Sequence, residues 1–204
     1  MKVTIIGAGN MARGIGSRVV AGGNELELVA RNREAADALA GEIGGSVSDR
    51  VTGDVVVLAV PYGAVEEVLS THGDSLGGKV VVDITNPVDW ATFDGLVTPS
   101  DSSAAEEIAK RVPGGATVVK AFNTTFAPTL PNGQVAGQPL DVLIAGDDAD
   151  AKKKVASVAE AGGLRALDVG PLKRSRQLEQ VGFLHITAQE PLGAGFSSAV
   201  KIVW

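Results

Sequence analysis

Three groups of residues in this chain have types and spacings that suit ligand chemistry. The first is Gly7-Ala8-Gly9-Asn10-Met11-Ala12, a G-x-G-x-x-A run directly after the apolar stretch Lys2–Ile6. A glycine at 7 allows a tight turn, one at 9 lets the backbone approach a pyrophosphate, and Ala12 is small enough for close helix–strand packing. A helix opening there aims its free amides and the positive end of its dipole at that anion. In a chain with 26 glycines the pattern alone is weak, and its place between a strand and a helix is what makes it specific. The second group is Arg31-Asn32-Arg33, at the end of the next apolar run. An NAD site normally carries an acid there, accepting from the ribose 2′-hydroxyl. Two guanidinium groups and an amide suit a 2′-phosphate dianion instead, so the expected dinucleotide is NADP(H). Cations at a helix start oppose its dipole, which argues for another reason to keep them.

The third group lies at the ends of three later apolar runs: Val60-Pro61-Tyr62, Asn86-Pro87 and Phe122-Asn123-Thr124. In an open parallel sheet, ligands bind beyond the carboxyl ends of the strands, so these ends should converge on the redox half of a dinucleotide. Pro61 and Pro87 stiffen backbone beside a ring that must be held flat. Asn86, Asn123 and Thr124 donate and accept hydrogen bonds without titrating, although asparagine also suits ordinary turns.

The elements that position these groups follow from patterning. Short β-branched runs are expected as strands at Lys2–Ile6, Glu25–Ala30, Ser46–Val47, Asp54–Val60, Lys79–Asp83, Thr117–Ala121, Leu140–Ala145 and Leu164–Val169. Helical patterns fill most of the gaps: Asn10–Val20, Arg33–Glu42, Ala64–Ser70, a helix from Ser103-Ala-Ala-Glu106 to about Val112, Asp150–Ala161, and a longer one from Leu172 to about Gln189. Pro87–Pro99 and Pro128–Gly137 read as loops, and Ser197–Val203 as an apolar tail. Strands alternating with helices, several of them apolar throughout, predict an α/β fold with a doubly wound parallel sheet of the NAD(P)-binding Rossmann type. Residues 1–139 would form the dinucleotide-binding domain. Residues 140–204 would be a small C-terminal extension packed on the same sheet and walling a second pocket.

Composition excludes several chemistries. The 204 residues contain no cysteine and two histidines, which removes disulfides, thiolate catalysis and cysteine-ligated metals, and disfavours a multi-histidine centre. No metal is expected. A net charge of −6 argues against nucleic acid or an anionic membrane as partner. No apolar stretch is long enough for a signal peptide or a span, so a soluble cytoplasmic protein is expected. Gly73–Lys79 satisfies G-x-x-x-x-G-K, but Val80 follows where Ser or Thr is needed and a strand follows where a helix is needed. Asn123-Thr-Thr125 matches a glycosylation triplet without a secretory signal. Asp147, Asp148 and Asp150 read as a helix cap. His185 is expected to be a packed or pocket residue, His72 a solvated one, and Lys173-Arg174-Ser175-Arg176 either surface or a contact for an anionic substrate tail.

The motifs Gly-Ala-Gly-Asn-Met, Ala-Arg-Asn-Arg, Ala-Val-Pro-Tyr, Asp-Ile-Thr-Asn-Pro, Val-Lys-Ala-Phe-Asn-Thr, Ala-Gly-Asp-Asp and Leu-Asp-Val-Gly-Pro-Leu together resemble the NADPH-dependent reductases of the deazaflavin coenzyme F-420, from Lys2 to about Glu179. The chain is similar also to the cytosolic oxidoreductase domain of transmembrane metalloreductases. The resemblance implies direct hydride transfer between NADP(H) and a flavin-like ring, with no dedicated catalytic side chain, no metal, and a homodimer. It implies that Gly7, Gly9, Asn10 and Met11 hold the pyrophosphate and that Arg31, Asn32 and Arg33 hold the 2′-phosphate. Val60, Pro61, Asn86, Phe122 and Asn123 would surround the nicotinamide. Pro87, Thr124, Gly170-Pro171-Leu172 and the helix from Ser175 would wall the acceptor pocket. Phe183–Trp204 departs from the family pattern. An NADPH-dependent flavin or ferric-chelate reductase, and a non-catalytic NADP(H)-sensing module, are the competing readings.

Overall fold

The computed structural model describes residues 1–204. The chain runs β1 (Lys2–Ile6), α1 (Asn10–Ala21), β2 (Glu25–Val29), α2 (Arg33–Ile43), β3 (Ser46–Val47), β4 (Val55–Leu58), α3 (Val65–His72), β5 (Val80–Asp83), α4 (Ala104–Ala109) and β6 (Thr117–Lys120). It continues through β7 (Gln134–Val135), β8 (Gln138–Pro139), β9 (Asp141–Gly146), α5 (Ala149–Ala161), β10 (Arg165–Gly170), α6 (Ser175–Thr187) and α7 (Gln189–Leu192). All eight expected strands form, together with the small β7–β8 ribbon that begins within the loop expected at Pro128–Gly137 and ends just past it. That ribbon turns on Ala136 and Gly137, both at positive φ, which fits the right-handed twist of two short strands.

One eight-stranded sheet, ordered β10-β9-β6-β5-β4-β1-β2-β3, carries both halves of the chain. The order reverses between β1 and β4, and the crevice at such a switch point is where open α/β sheets bind ligands. Alternate residues of the strands go to opposite cores. Val55 and Val57 join Val3, Ile5, Val80 and Val82 beneath α1, α2 and α5, while Val56 and Leu58 join Val81, Val118, Val65 and Ile108 beneath α3 and α4. Burial on both faces explains why these strands read as continuous apolar runs.

The sheet departs from the expected all-parallel arrangement at one edge. β9 pairs antiparallel with β6, through Val119 with Gly146 and Lys120 with Ala145, and β10 then runs parallel to β9. The last two strands therefore point away from the end of the sheet where β1, β4, β5 and β6 terminate. β10 ends with Gly170 beside Ala145, level with Lys120 at the end of β6, and the chain leaves it heading toward the amino ends of the parallel strands. The helix expected from Leu172 to Gln189 is a 3-10 turn at Leu172–Arg174, then α6, then the short α7. α6 travels back toward the carboxyl ends of the parallel strands.

Ser103 caps α4 as expected, its hydroxyl accepting from the Glu106 amide at 3.2 Å, while the Glu106 carboxylate accepts from the Ser103 hydroxyl at 2.8 Å; α4 stops at Ala109, short of Val112. Asp148 caps α5 by accepting from the Ala151 amide, and the Asp147 carboxylate accepts from the Leu172 amide. Lys79 precedes β5 and spends its ammonium on the Gly53 carbonyl, with no helix after it. No helix is long and apolar enough to cross a membrane.

Candidate functional site

Two cavities open along the carboxyl ends of the parallel strands and meet at Val60 and Pro61. The first, about 540 Å³, lies between β1, β2 and α3 and is lined by Gly7, Ala8, Arg31, Asn32, Ser48, Asp49, Glu67, Thr71 and His72 among others. The second, about 800 Å³, begins at Gly9, Asn10 and Met11 and extends past the ends of β4, β5 and β6.

The glycine turn is built as its sequence requires. Gly7 sits at φ +127°, and a Cβ there would lie 2.3 Å from the Ala59 carbonyl oxygen, so no L side chain fits. Around Gly9, in contrast, an added Cβ meets nothing within 4 Å, which leaves open space against bare backbone. Gly9 is the N-cap of α1, no side chain caps that helix, and no acid occupies its first turn. The first-turn amides therefore face the cavity without a protein partner, the donor set a pyrophosphate takes.

At the far end of the first cavity, Arg31 is 88% exposed along its side chain and reaches across to Glu67 on α3, with Nη1 at 3.3 and 3.4 Å from the two carboxylate oxygens. Asn32 caps α2, its side-chain oxygen accepting from the Ala35 amide at 3.0 Å, which leaves its NH₂ group for a ligand. Arg33 bonds Asp49 at 2.7 Å and also lies 3.6 Å from Asp37, one helical turn on. It stands behind the cavity wall rather than in it. His72 ends α3 and lines this cavity, contrary to the expectation of a purely solvated turn residue.

The second cavity joins the strand ends. Asn86 and Asn123 form a twin-amide pair: Asn86 Nδ2 donates to the Asn123 carbonyl at 2.8 Å, and Asn123 Nδ2 donates to Asn86 Oδ1 at 2.9 Å. Asn123 Nδ2 also donates to the Leu178 carbonyl, which docks α6 on this pair. Asn123 Oδ1 and Thr85 Oγ1 are buried and have no partner, although both residues line the cavity. Orphaned polar atoms cost 1–3 kcal/mol or so unless something satisfies them, and a carboxamide or ribose hydroxyl has the complementary donors and acceptors. These residues therefore fit the nicotinamide half of a dinucleotide.

Beneath the strand ends lies a fully buried ionic node. Lys120 Nζ, at the end of β6, donates to Asp83 at 2.7 Å, to the Thr85 carbonyl at 2.6 Å and to Glu179 of α6 at 2.7 Å. Burial alone pulls this ammonium down, but Asp83 and then Glu179 outweigh it and hold the pKa above that of a free lysine. Burial pushes the Glu179 carboxyl up, opposed by Lys120. Its other oxygen accepts from the Ala104 amide at the start of α4 at 3.0 Å. The node ties β5, β6, α4 and α6 together and sets the height of the Thr85 backbone at the cavity floor.

The remaining wall is aromatic, and of its six rings the sequence singled out only Tyr62 and Phe122. Tyr62, Trp90, Phe93, Phe122, Phe126 and Phe196 line the second cavity, six of the chain's eight aromatic residues. Three of them, Phe93, Phe122 and Phe196, are also three of the four non-glycine residues at positive φ. Such backbone costs 1 kcal/mol or so per residue and concentrates at functional sites. Phe126 stacks on His185 with ring centroids 4.1 Å apart and meets Phe196 edge-on at 5.1 Å. His185 bonds Ser198 at 2.8 Å, and its burial lowers its pKa, so it is a packed residue backing Phe126. Their scarcity was the available signal: aromatics are 4% of the chain, and four of the six fall at 90, 93, 122 and 126.

Four expected wall residues are elsewhere. Gly170, Pro171, Leu172 and Ser175 line neither cavity. Because β9 and β10 run opposite to β6, the chain leaves β10 level with Lys120 and turns into the core beneath α4, where Leu172 joins that cluster and Ser175 is fully buried. The later turn of α6, at Ile186, and the segment at Gly195 and Phe196 occupy the wall instead. Pro87 and Thr124 are buried behind the wall, and Thr125 lines it. In the basic cluster, Arg176 forks onto Glu106 at 2.6 and 2.8 Å, a structural pairing of α6 with α4.

Residues 2–87 match the family model described as NADP oxidoreductase, coenzyme F420-dependent. The F420-dependent NADP reductase of Methanothermobacter thermautotrophicus is 32% identical over 202 residues, covering 89% of this chain and 86% of that protein. Metalloreductase STEAP3 of Rattus norvegicus is 31% identical over 182 residues, 88% of this chain, and the match spans 36% of that longer protein. Among solved structures, a putative F420-dependent NADP reductase from Arthrobacter sp. FB24 superposes with a TM-score of 0.87 at 25% identity, covering both chains completely.

Proposed function

Because this chain belongs to the coenzyme F420-dependent NADP oxidoreductase family, we propose that it transfers a hydride between NADP(H) and the deazaflavin ring of coenzyme F420. The observation that carries this reading is the aromatic cavity continuous with the dinucleotide groove at Val60 and Pro61. It sits where the nicotinamide of a dinucleotide held by the glycine turn would end. It is lined by flat apolar side chains, several pinned at positive φ, and by no charged residue. A planar heteroaromatic ring stacks well in such a space.

The bound dinucleotide supplies the two-electron chemistry. The chain's own residues bind, orient and exclude water. Gly7, Gly9, Asn10 and Met11 seat the pyrophosphate on α1. Arg31 grips the 2′-phosphate, with Asn32 beside it and Arg33 behind. Val60, Pro61, Asn86, Phe122 and Asn123 hold the ribose and nicotinamide, and the unpaired Asn123 Oδ1 and Thr85 Oγ1 gain partners there. Trp90, Phe93, Phe126 and Phe196 shape the acceptor space. No side chain in the second cavity is placed as a strong acid or base, as expected of a transfer between two rings held at near-attack distance.

The reading includes a cytoplasmic homodimer. Leu184 and Leu192, 68% and 70% exposed on α6 and α7, and Phe196 support a partner surface around the C-terminal segment.

The test is a cofactor-and-acceptor screen on the purified protein: NADPH or NADH against coenzyme F420, FMN, FAD and a ferric chelate. NADPH with F420 is expected to give the highest kcat/KM. Turnover with FMN and none with the deazaflavin would transfer the assignment to flavin reduction. Nucleotide binding without turnover on any ring or chelate would leave only a sensing module.

A further inference from the structure

We propose that Glu67 and Asp49 are specificity-determining residues that oppose the 2′-phosphate and narrow the preference for NADP(H) over NAD(H). The inference rests on the assignment of Arg31 and Arg33 to the 2′-phosphate. The strand end at residues 31–33 carries two guanidinium groups where an NAD site carries an acid, which points to a site selective for the phosphorylated cofactor. The fold changes that picture by bringing two carboxylates from distant segments into the same corner. Glu67 arrives from the first turns of α3 and Asp49 from the segment just after β3, and both line the cavity with Arg31 and Asn32.

Each carboxylate already holds a guanidinium of this corner, Glu67 that of Arg31 in the cavity and Asp49 that of Arg33 behind its wall. Both oxygens of Glu67 face Arg31 Nη1, at 3.3 and 3.4 Å, and Asp49 Oδ1 holds Arg33 Nη1 at 2.7 Å. The partners are separated by 36 and 16 residues, so tertiary structure creates both pairs. A dianionic phosphate entering this corner has to displace one carboxylate from its arginine and stay close to both. A ribose with a free 2′-hydroxyl meets the opposite situation: the carboxylates are ready acceptors and the arginines neutralise them, much as an acid serves in an NAD site. The same two residues thus weaken one cofactor and support the other, a discrimination set as much by repulsion as by attraction.

The magnitude is modest because the pair is open to solvent. Glu67 is 61% exposed and Asp49 86% exposed along their side chains, and exposed pairs contribute little. Replacing one carboxylate by its amide keeps the shape, releases the guanidinium and removes one like charge. Affinity for the phosphorylated nucleotide should rise about 1.5- to fivefold for each residue.

The test separates this corner from redox activity. Dissociation constants of 2′,5′-ADP and 5′-ADP are measured by calorimetry for the wild-type protein, Glu67→Gln and Asp49→Asn, at low and moderate salt. Both variants alter exposed side chains and should fold normally. The expected result is tighter binding of 2′,5′-ADP by both variants, unchanged or weaker binding of 5′-ADP, and a gain that shrinks as salt screens it. Unchanged or weaker 2′,5′-ADP binding in both variants overturns the proposal, as does an equal gain for both probes. Wild-type protein that binds the two probes equally well overturns the 2′-phosphate assignment itself, a different result that the same titration reveals.

Discussion

Gly182→Ala is expected to slow hydride transfer while sparing the adenosine end of the cofactor groove. Gly182 lies inside α6, where glycine costs a helix about 1 kcal/mol relative to alanine. The docking of α6 explains why it is there. A methyl group at 182 would lie 2.5 Å from Asn86 Oδ1 and 3.0 Å from both Asn86 Cγ and Asn123 Nδ2. These atoms cannot swing aside freely, because the two amides bond each other and Asn123 also holds the Leu178 carbonyl. Either α6 retreats or the amide pair opens. Overpacking of this kind costs roughly 1–3 kcal/mol, offset by about 1 kcal/mol of helix propensity. The net loss of about 0–2 kcal/mol lowers Tm by up to about 8 °C for a chain of this size. The larger effect is on rate, since a displacement of about 1 Å beside the reacting rings can cost about 100-fold. Single-turnover oxidation of NADPH by F420, followed by stopped-flow absorbance, should fall about 10- to 100-fold, with the Kd of 2′,5′-ADP unchanged within about twofold. Gly41→Ala is the matched control. It lies on the exposed face of α2 with nothing within 4 Å of an added Cβ, and should gain about 0.5–1 kcal/mol without any change in rate. A Gly182→Ala protein that transfers hydride within about twofold of wild type would refute the assigned role of the amide pair and of α6 in positioning the rings.

Arg31→Glu combined with Arg33→Ala should weaken NADPH roughly 100-fold or more and NADH far less, because a charge-assisted contact becomes a repulsion; fluorescence titration of both nucleotides measures this, and equal losses would contradict the assignment. Asp141 anchors the C-terminal segment, accepting from Arg165, Lys201 and the Ile202 amide, and these bonds outweigh its burial to hold its pKa at about 2 rather than 3.8. Its stabilising contribution is therefore complete above about pH 3.8 and disappears as pH falls through about 2. Asp141→Asn should be less stable at pH 7, lose less stability between pH 4 and pH 2 than wild type, and loosen the segment that carries Phe196; urea melts across that range check the first two effects.

The sequence by itself determined the architecture and half of the site. Strands buried on both faces must be apolar at nearly every position, so β4, β5 and β6 announce themselves, and a pyrophosphate turn needs Gly7 and Gly9 within three positions of each other. Both are local demands, written in consecutive residues. Strand direction is not local. Nothing in Asp141–Gly146 distinguishes a parallel from an antiparallel neighbour, because the same apolar run satisfies either ladder. That one choice turned the segment from Gly170 to Ser175 away from the second cavity and into the core beneath α4, and left α6 to bring Gly182 against the amide pair and Ile186, with Phe196 after it, to the cavity wall. The carboxylates facing Arg31 and Arg33, the Lys120 node and the six-membered aromatic wall join residues tens of positions apart. Their meaning depends on through-space distance, over which charges and rings act, and only the folded chain fixes those distances.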